Sequence, residues 1–154
     1  MKKTIFLASF VIFALFVQNA CAQNEADTLL CKVWKVELQQ SLAQMPPAKQ
    51  LRYDSLSAKQ KSQIAMDFGT RTFEFLQNHT LKIEWQKNGQ AITRNGTWTW
   101  AANTEIPTIK VSIGASIETV LYQLLTIGTD TLVVYKPQQA SDFFQKMIFS
   151  PNNL

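Results

Sequence analysis

A catalytic or metal-binding chain must bring histidines, thiols, activated hydroxyls or paired carboxylates together, and few residues here qualify. His79 is the single histidine. It falls in Gln77-Asn78-His79, which reads as a tight turn. One imidazole cannot build a His-rich metal site, and no Cys pair, His-Glu-x-x-His motif or Asp-rich loop accompanies it. There is no Gly-rich phosphate loop and no Ser nucleophile elbow. Acid–base work needs two carboxylates converging in a cleft. Glu74 and Glu84 alternate with apolar residues and should face water, while Glu118 stands at a strand start without an acidic partner. No catalytic residue, metal ligand or cofactor is assigned, and the chain is read as a non-enzyme.

The two cysteines lie on either side of a predicted cleavage point. Lys2 and Lys3, the apolar run from Ile5 to Val17 and the small residues Ala20 and Ala22 form an export signal over residues 1–22, cut before Gln23. The run is shorter than the about 20 apolar residues of a membrane span, so no transmembrane segment remains after cleavage. The expected location is periplasmic or secreted. Ala20 before Cys21 suits acylation of that cysteine, but Gln18 stands where lipoprotein signals usually carry Leu, so a lipid anchor is the minor alternative. Cys31 is then the only cysteine left, and it cannot form an internal disulfide; a buried, inert thiol is expected. Removing Lys2 and Lys3 with the signal lowers the formal charge from +4 to +2, because residues 1–22 hold no acid. The remaining Lys and Arg residues form no cluster of the kind that binds nucleic acid.

With polar chemistry sparse, the large aromatics become the candidates, and strand parity positions them. Residues 23–28 read as a polar, flexible lead-in. In residues 30–38, Trp34, Val36 and Leu38 share the inward face. Phe73 and Phe75, then Leu81, Ile83 and Trp85, continue the pattern. Lys87-Asn88-Gly89-Gln90 is a turn suited to positive φ. Residues 91–100 follow, with Trp98 and Trp100 on one face and a bulge expected at Asn95-Gly96. Ile109, Val111 and Ile113; Val120, Tyr122 and Leu124; and Leu132 and Val134 make further alternating sets. Gly114-Ala115-Ser116 and Gly128-Thr129-Asp130 turn the chain between them. Phe143, Met147 and Phe149 complete eight candidate strands, an all-β antiparallel pattern of closed or nearly closed form.

Residues 39–69 break this rhythm. Pro46-Pro47 argues against regular structure at that point. Ser57 is a candidate N-cap for a short helix from Ala58 to about Phe68, stopped at Gly69, with Ile64 and Phe68 on one face.

An early Trp-bearing strand, a helical insertion, seven meandering strands and the middle signature Phe73-x-Phe75, Gly96-Thr97-Trp98 and Leu132 resemble the small exported lipocalin-like domains of Gram-negative bacteria, within the calycin group. The domain would cover residues 29–150. The resemblance implies an eight-stranded antiparallel up-and-down barrel with a short helix between strands 1 and 2. It implies that Trp34, in Lys32-Val33-Trp34 where the family usually carries Gly-x-Trp, plugs the barrel floor.

Eight strands leave an interior that side chains fill or that holds one small ligand, and large aromatics weigh toward filling. The candidate pocket residues are Phe73, Phe75, Trp85, Trp98, Trp100 and Tyr122. Leu51, Tyr53, Ile64 and Phe68 are lid candidates. Arg71 and Arg94 could contact an acidic head; Lys82 and Lys110 fall on the outer face. Two functions follow: an exported binder of a small hydrophobic or amphipathic molecule in the cell envelope, or a filled barrel acting as an interaction or inhibitory module through rim loops such as residues 137–142. The ligand and any protein partner are unidentified.

Overall fold

The computed structural model describes residues 25–102, 104–114, 118–137 and 143–152. The expected signal, Cys21 and most of the 137–142 loop lie outside the described residues. Eight antiparallel strands close into one up-and-down barrel in sequence order. They are β1 (Val33–Val36), β2 (Thr72–Phe75), β3 (Thr80–Lys87), β4 (Gln90–Trp100), β5 (Thr108–Ile113), β6 (Glu118–Ile127), β7 (Leu132–Tyr135) and β8 (Lys146–Pro151). Closure is made by β1 on β8, with Trp34 opposite Pro151 and Val36 opposite Phe149. A closed sheet has no unpaired edge, which matters in strands as short as the four residues of β1.

The inward rows are those that parity dictates. Trp34, Val36, Phe73, Phe75, Leu81, Ile83, Trp98, Ile109, Val111, Tyr122, Leu132 and Val134 are all buried in one core. The Asn88-Gly89 turn takes positive φ at both residues, the twist a tight hairpin needs. Lys82 pairs with Glu84 at 3.0 Å on the outer face.

Four local expectations change. The predicted strand 30–38 shrinks to β1. Residues 25–30 form a helical turn, α1, instead of a flexible lead-in, and Leu30 at its end is fully buried. Leu38 opens helix α2 (Leu38–Ala43) rather than extending the strand. The Asn95-Gly96 bulge is absent: β4 pairs with β3 without a break from Lys87–Gln90 to Thr80–Thr97. Gly96 has a different role, since a Cβ there would stand 2.2 Å from the Ser112 carbonyl oxygen of β5. The register shift is instead on β6, where Leu125 is the extra residue between Leu124 and Thr126. It restores Ile127 to the partner of buried Leu132 while leaving Leu125 exposed.

The insertion holds three helices rather than one. After α2 come α3 (Pro47–Asp54) and α4 (Ala58–Gly69). Pro47 is the first residue of α3, where its missing N–H interrupts no helical hydrogen bond. Ser57 caps α4 in a reciprocal box: its hydroxyl accepts from the Gln60 N–H, and the Gln60 side chain accepts from the Ser57 N–H. α2 is tied to β8 where the β1 ladder ends. The Glu37 N–H donates to the Ile148 carbonyl at 2.8 Å, and the Ile148 N–H donates to the buried Ser41 hydroxyl at 3.0 Å.

Candidate functional site

The two ends of the barrel are built differently. At the end carrying α1, the interior is filled. Trp34 is fully buried and its indole N–H donates to the Leu30 carbonyl at 2.9 Å. Trp98, also fully buried, donates to the Leu76 carbonyl at 3.1 Å. Its ring meets Phe75 and Trp100 edge-on, at 5.9 and 6.2 Å between centroids. The Trp100 indole donates to the Asp27 carboxylate of α1. His79, with φ of 62°, stands 4.7 Å from the Trp98 ring in the β2–β3 turn. The void left among Phe73, Phe75, Tyr122 and Leu132 is only about 10 Å³, room for one water at most.

The opposite end, where the insertion and the β7–β8 connection meet, is open. A cavity of about 250 Å³ lies under α4, lined by Ile64, Phe68, Phe73, Tyr122, Phe144 and Met147, with Asp67, Arg71 and Lys136 as its charged groups. A second cavity of about 230 Å³ is lined by Arg71, Ile83, Trp85, Arg94 and Ile113. Arg71 belongs to both. Its backbone is fixed by two hydrogen bonds, N–H to the Phe68 carbonyl (3.1 Å) and carbonyl to the Val36 N–H (3.0 Å). Its guanidinium carbon lies 5.3 Å from the Phe68 ring centroid and 5.2 Å from that of Trp85. Phe73 and Tyr122 form the boundary, since they line both the large cavity and the small void beneath it.

Aromatic contacts hold the cover on. Phe68 of α4 stacks on buried Phe144 at 3.9 Å and 13°. Tyr53 of α3 meets Phe143 edge-on at 6.3 Å, and Arg52 lies 4.9 Å from the same ring. Each aromatic pair contributes about 0.5–1.5 kcal/mol beyond its buried area. The end of α4 is pinned to β3 by the Gln86 N–H, which donates to the Thr70 hydroxyl at 2.9 Å.

The structure therefore sorts the predicted site residues. Phe73, Tyr122, Ile64 and Phe68 converge on the larger cavity and Trp85 on the smaller. Phe75, Trp98 and Trp100 line neither of these two cavities; they belong to the filled end. Tyr53 braces the cover through Phe143, whereas Leu51 is 73% exposed on α3 and faces away from it. Phe144, Met147 and Lys136 went unassigned as site residues. Phe144 precedes β8 in a connection where strand parity carries no information. Cys31 is half-buried rather than buried as expected; desolvation first, then the neighbouring Asp27 charge, pushes its thiol above the ordinary range. Among the described residues no group of three or more His, Cys, Asp or Glu converges as a metal site. No described helix is long and apolar enough to cross a membrane.

These features define the class: a closed eight-stranded antiparallel barrel, compatible with a calycin-like fold, filled at one end and hollow under a helical cover at the other. Comparisons of the chain with family models, with curated proteins and with solved structures find no match.

Proposed function

We propose that this protein is an exported, non-catalytic lipocalin-like barrel that binds a small hydrophobic or amphipathic molecule in the cell envelope, at the covered mouth rather than deep inside. The observation that carries this reading is the cavity of about 250 Å³ between α4 and the barrel, walled by Phe68, Phe73, Phe144 and Met147. Apolar walls with a few polar groups at the edge are the usual make-up of small-molecule sites. The export signal over residues 1–22 supports the envelope location.

The test is uptake of the neutral dye N-phenyl-1-naphthylamine, followed by its fluorescence and by the melting temperature. Binding should raise both. Met147→Trp places a larger side chain in the cavity and should weaken uptake about tenfold or more, as expected when the apolar space is lost. No uptake of the dye by the parent protein, or equal uptake by the variant, would sink the reading.

The filled α1 end favours a second reading for that half of the molecule. A barrel with about 10 Å³ of void there can act only through its surface or rim, as an interaction or inhibitory module. A specific envelope-protein partner together with no dye uptake would favour it.

A further inference from the structure

We infer that two copies of this chain associate edge to edge, through the free flank of β4 from Gln90 to Arg94. The surface lies on the β3–β4 hairpin and is independent of what the mouth binds.

The hairpin outruns its neighbours. β3 and β4 pair as far as Lys87 and Gln90. β2 stops pairing at Thr72, opposite Glu84, and β5 stops at Ile113, opposite Gly96. Successive residues of an antiparallel strand turn their N–H and C=O groups to one neighbour and then the other. On β4 the even positions face β3, as the Trp98 N–H does in donating to the His79 carbonyl. The odd positions face β5, as the Asn95 carbonyl does in accepting from the Gly114 N–H. Beyond Asn95 the odd positions are Thr93 and Ala91, both exposed. Among the described residues their main-chain groups have no partner on that flank.

Two other overhangs are covered from within the chain. The Gln86 N–H of β3 donates to the Thr70 hydroxyl, and the Ile148 N–H of β8 donates to the Ser41 hydroxyl. The flank of β4 has no such cover among the described residues. Ala91-Ile92-Thr93 also carries none of the charges, prolines or bulges that keep an open edge from pairing with another chain.

The flank fits a second copy of itself. An antiparallel pair with its two-fold axis at Ile92 sets Ala91 against Thr93 of the second copy, and Thr93 against Ala91. Each pair exchanges both of its main-chain hydrogen bonds. Ile92 then faces its own counterpart at a non-hydrogen-bonded position, where side chains stand closest. Trp85 is the β3 partner of Ile92, and both are half-buried. An apolar row of Trp85 and Ile92 from each copy therefore crosses the joined sheet. Arg94 faces neutral Gln90, so no like charges stand directly opposite. Lys87 of the second copy, the β3 partner of that Gln90, is one strand farther, about 10 Å from Arg94 by strand spacing. Gly89 at the hairpin tip brings no side chain against the second barrel, and nothing lies within 4 Å of where its Cβ would stand. A register centred on Thr93 would need the Asn95 carbonyl, which Gly114 already engages, and would set Ile92 against Arg94. An edge contact of this length is smaller than the about 1,200 Å² at which stable interfaces begin, so the dimer forms and dissociates with concentration.

The experiment is sedimentation equilibrium of the purified protein from about 10 μM to about 1 mM, the range of weak association, with amide exchange on the same samples. The average mass should climb from the monomer value toward twice that value. Exchange at Ala91 and Thr93 should slow severalfold at the high concentration and run freely at the low one. Moderate salt should strengthen the dimer by screening Arg94 from Lys87. Thr93→Pro removes an N–H that β3 does not use and should hold the mass at the monomer value. Ile92→Lys, which sets like charges face to face on the axis, should do the same with the urea midpoint of the dilute protein kept. A parent that stays monomeric over the whole range would overturn the inference. So would a dimer that survives Ile92→Lys, which would place the contact elsewhere. Equal protection of Ala91 and Thr93 at both concentrations would overturn it too, because the flank would then be covered within the chain.

Discussion

The two ends of this barrel share the same strands and the same inward parity, yet one is solid and the other hollow. At the α1 end, Phe75 and Trp100 meet Trp98 edge-on, and the indole N–H groups of Trp34, Trp98 and Trp100 find backbone or carboxylate partners. At the mouth, Phe73 and Tyr122 form a floor, and above it the walls spread to half-buried Trp85 and Arg71 under α4. Strand pairing alone does not decide whether a barrel is packed. Side-chain volume at each level decides it, together with what covers the end.

The largest expected effect contrasts the two ends directly. Trp98→Ala removes a fully buried ring and should cost about 3–5 kcal/mol in urea unfolding, as large-to-small changes in packed cores do. Phe68→Ala, at the wall of an existing cavity, should cost clearly less, about 1–2 kcal/mol for a half-buried ring and its stacking on Phe144. Equal costs would erase the distinction between solid and hollow ends. Next in size, Gly96→Ala should destabilise by about 1–3 kcal/mol, because the new methyl meets the β5 backbone and not a movable side chain. An unchanged urea midpoint would show that β4 and β5 separate easily. The smallest effect sharpens the account of the cover. Ser57→Ala removes the cap of α4 and should cost about 1 kcal/mol. Its amide exchange should speed up in residues 58–69 and stay unchanged in β3 and β5; acceleration throughout would mean that cover and barrel open as one unit.

The closed sheet was legible because burial on one face imposes a period of two, and Asn88-Gly89 and Ser57 carry local chemistry that needs no distant partner. The resemblance supplied the order of strands. The Asn95-Gly96 bulge was misplaced because glycine also serves close strand approach, and only the β5 register distinguishes the two uses. α2 and α3 were missed because Leu38 continues the alternation of β1 and because Pro47 breaks a helix interior but can begin one. The site was half legible. Phe73, Trp85 and Tyr122 sit on strands, where parity aims them inward. Phe144 and Lys136 lie on the β7–β8 connection: Phe144 is placed by stacking on Phe68 of α4, remote in sequence, and Lys136 by its N–H bond to the Gln145 carbonyl and its place over the Tyr122 ring.

The placement of α1 has a consequence for orientation. Its hydrogen bonds to Trp34 and Trp100 bring the chain into the fold at the solid end, on the far side of the barrel from the mouth. A chain held to a membrane through residues ahead of Glu25 would turn its closed end toward the lipid and its entrance toward the aqueous compartment. Under the proposed small-molecule function, exchange would then proceed with dissolved carriers or free solutes rather than by direct extraction from the bilayer beneath.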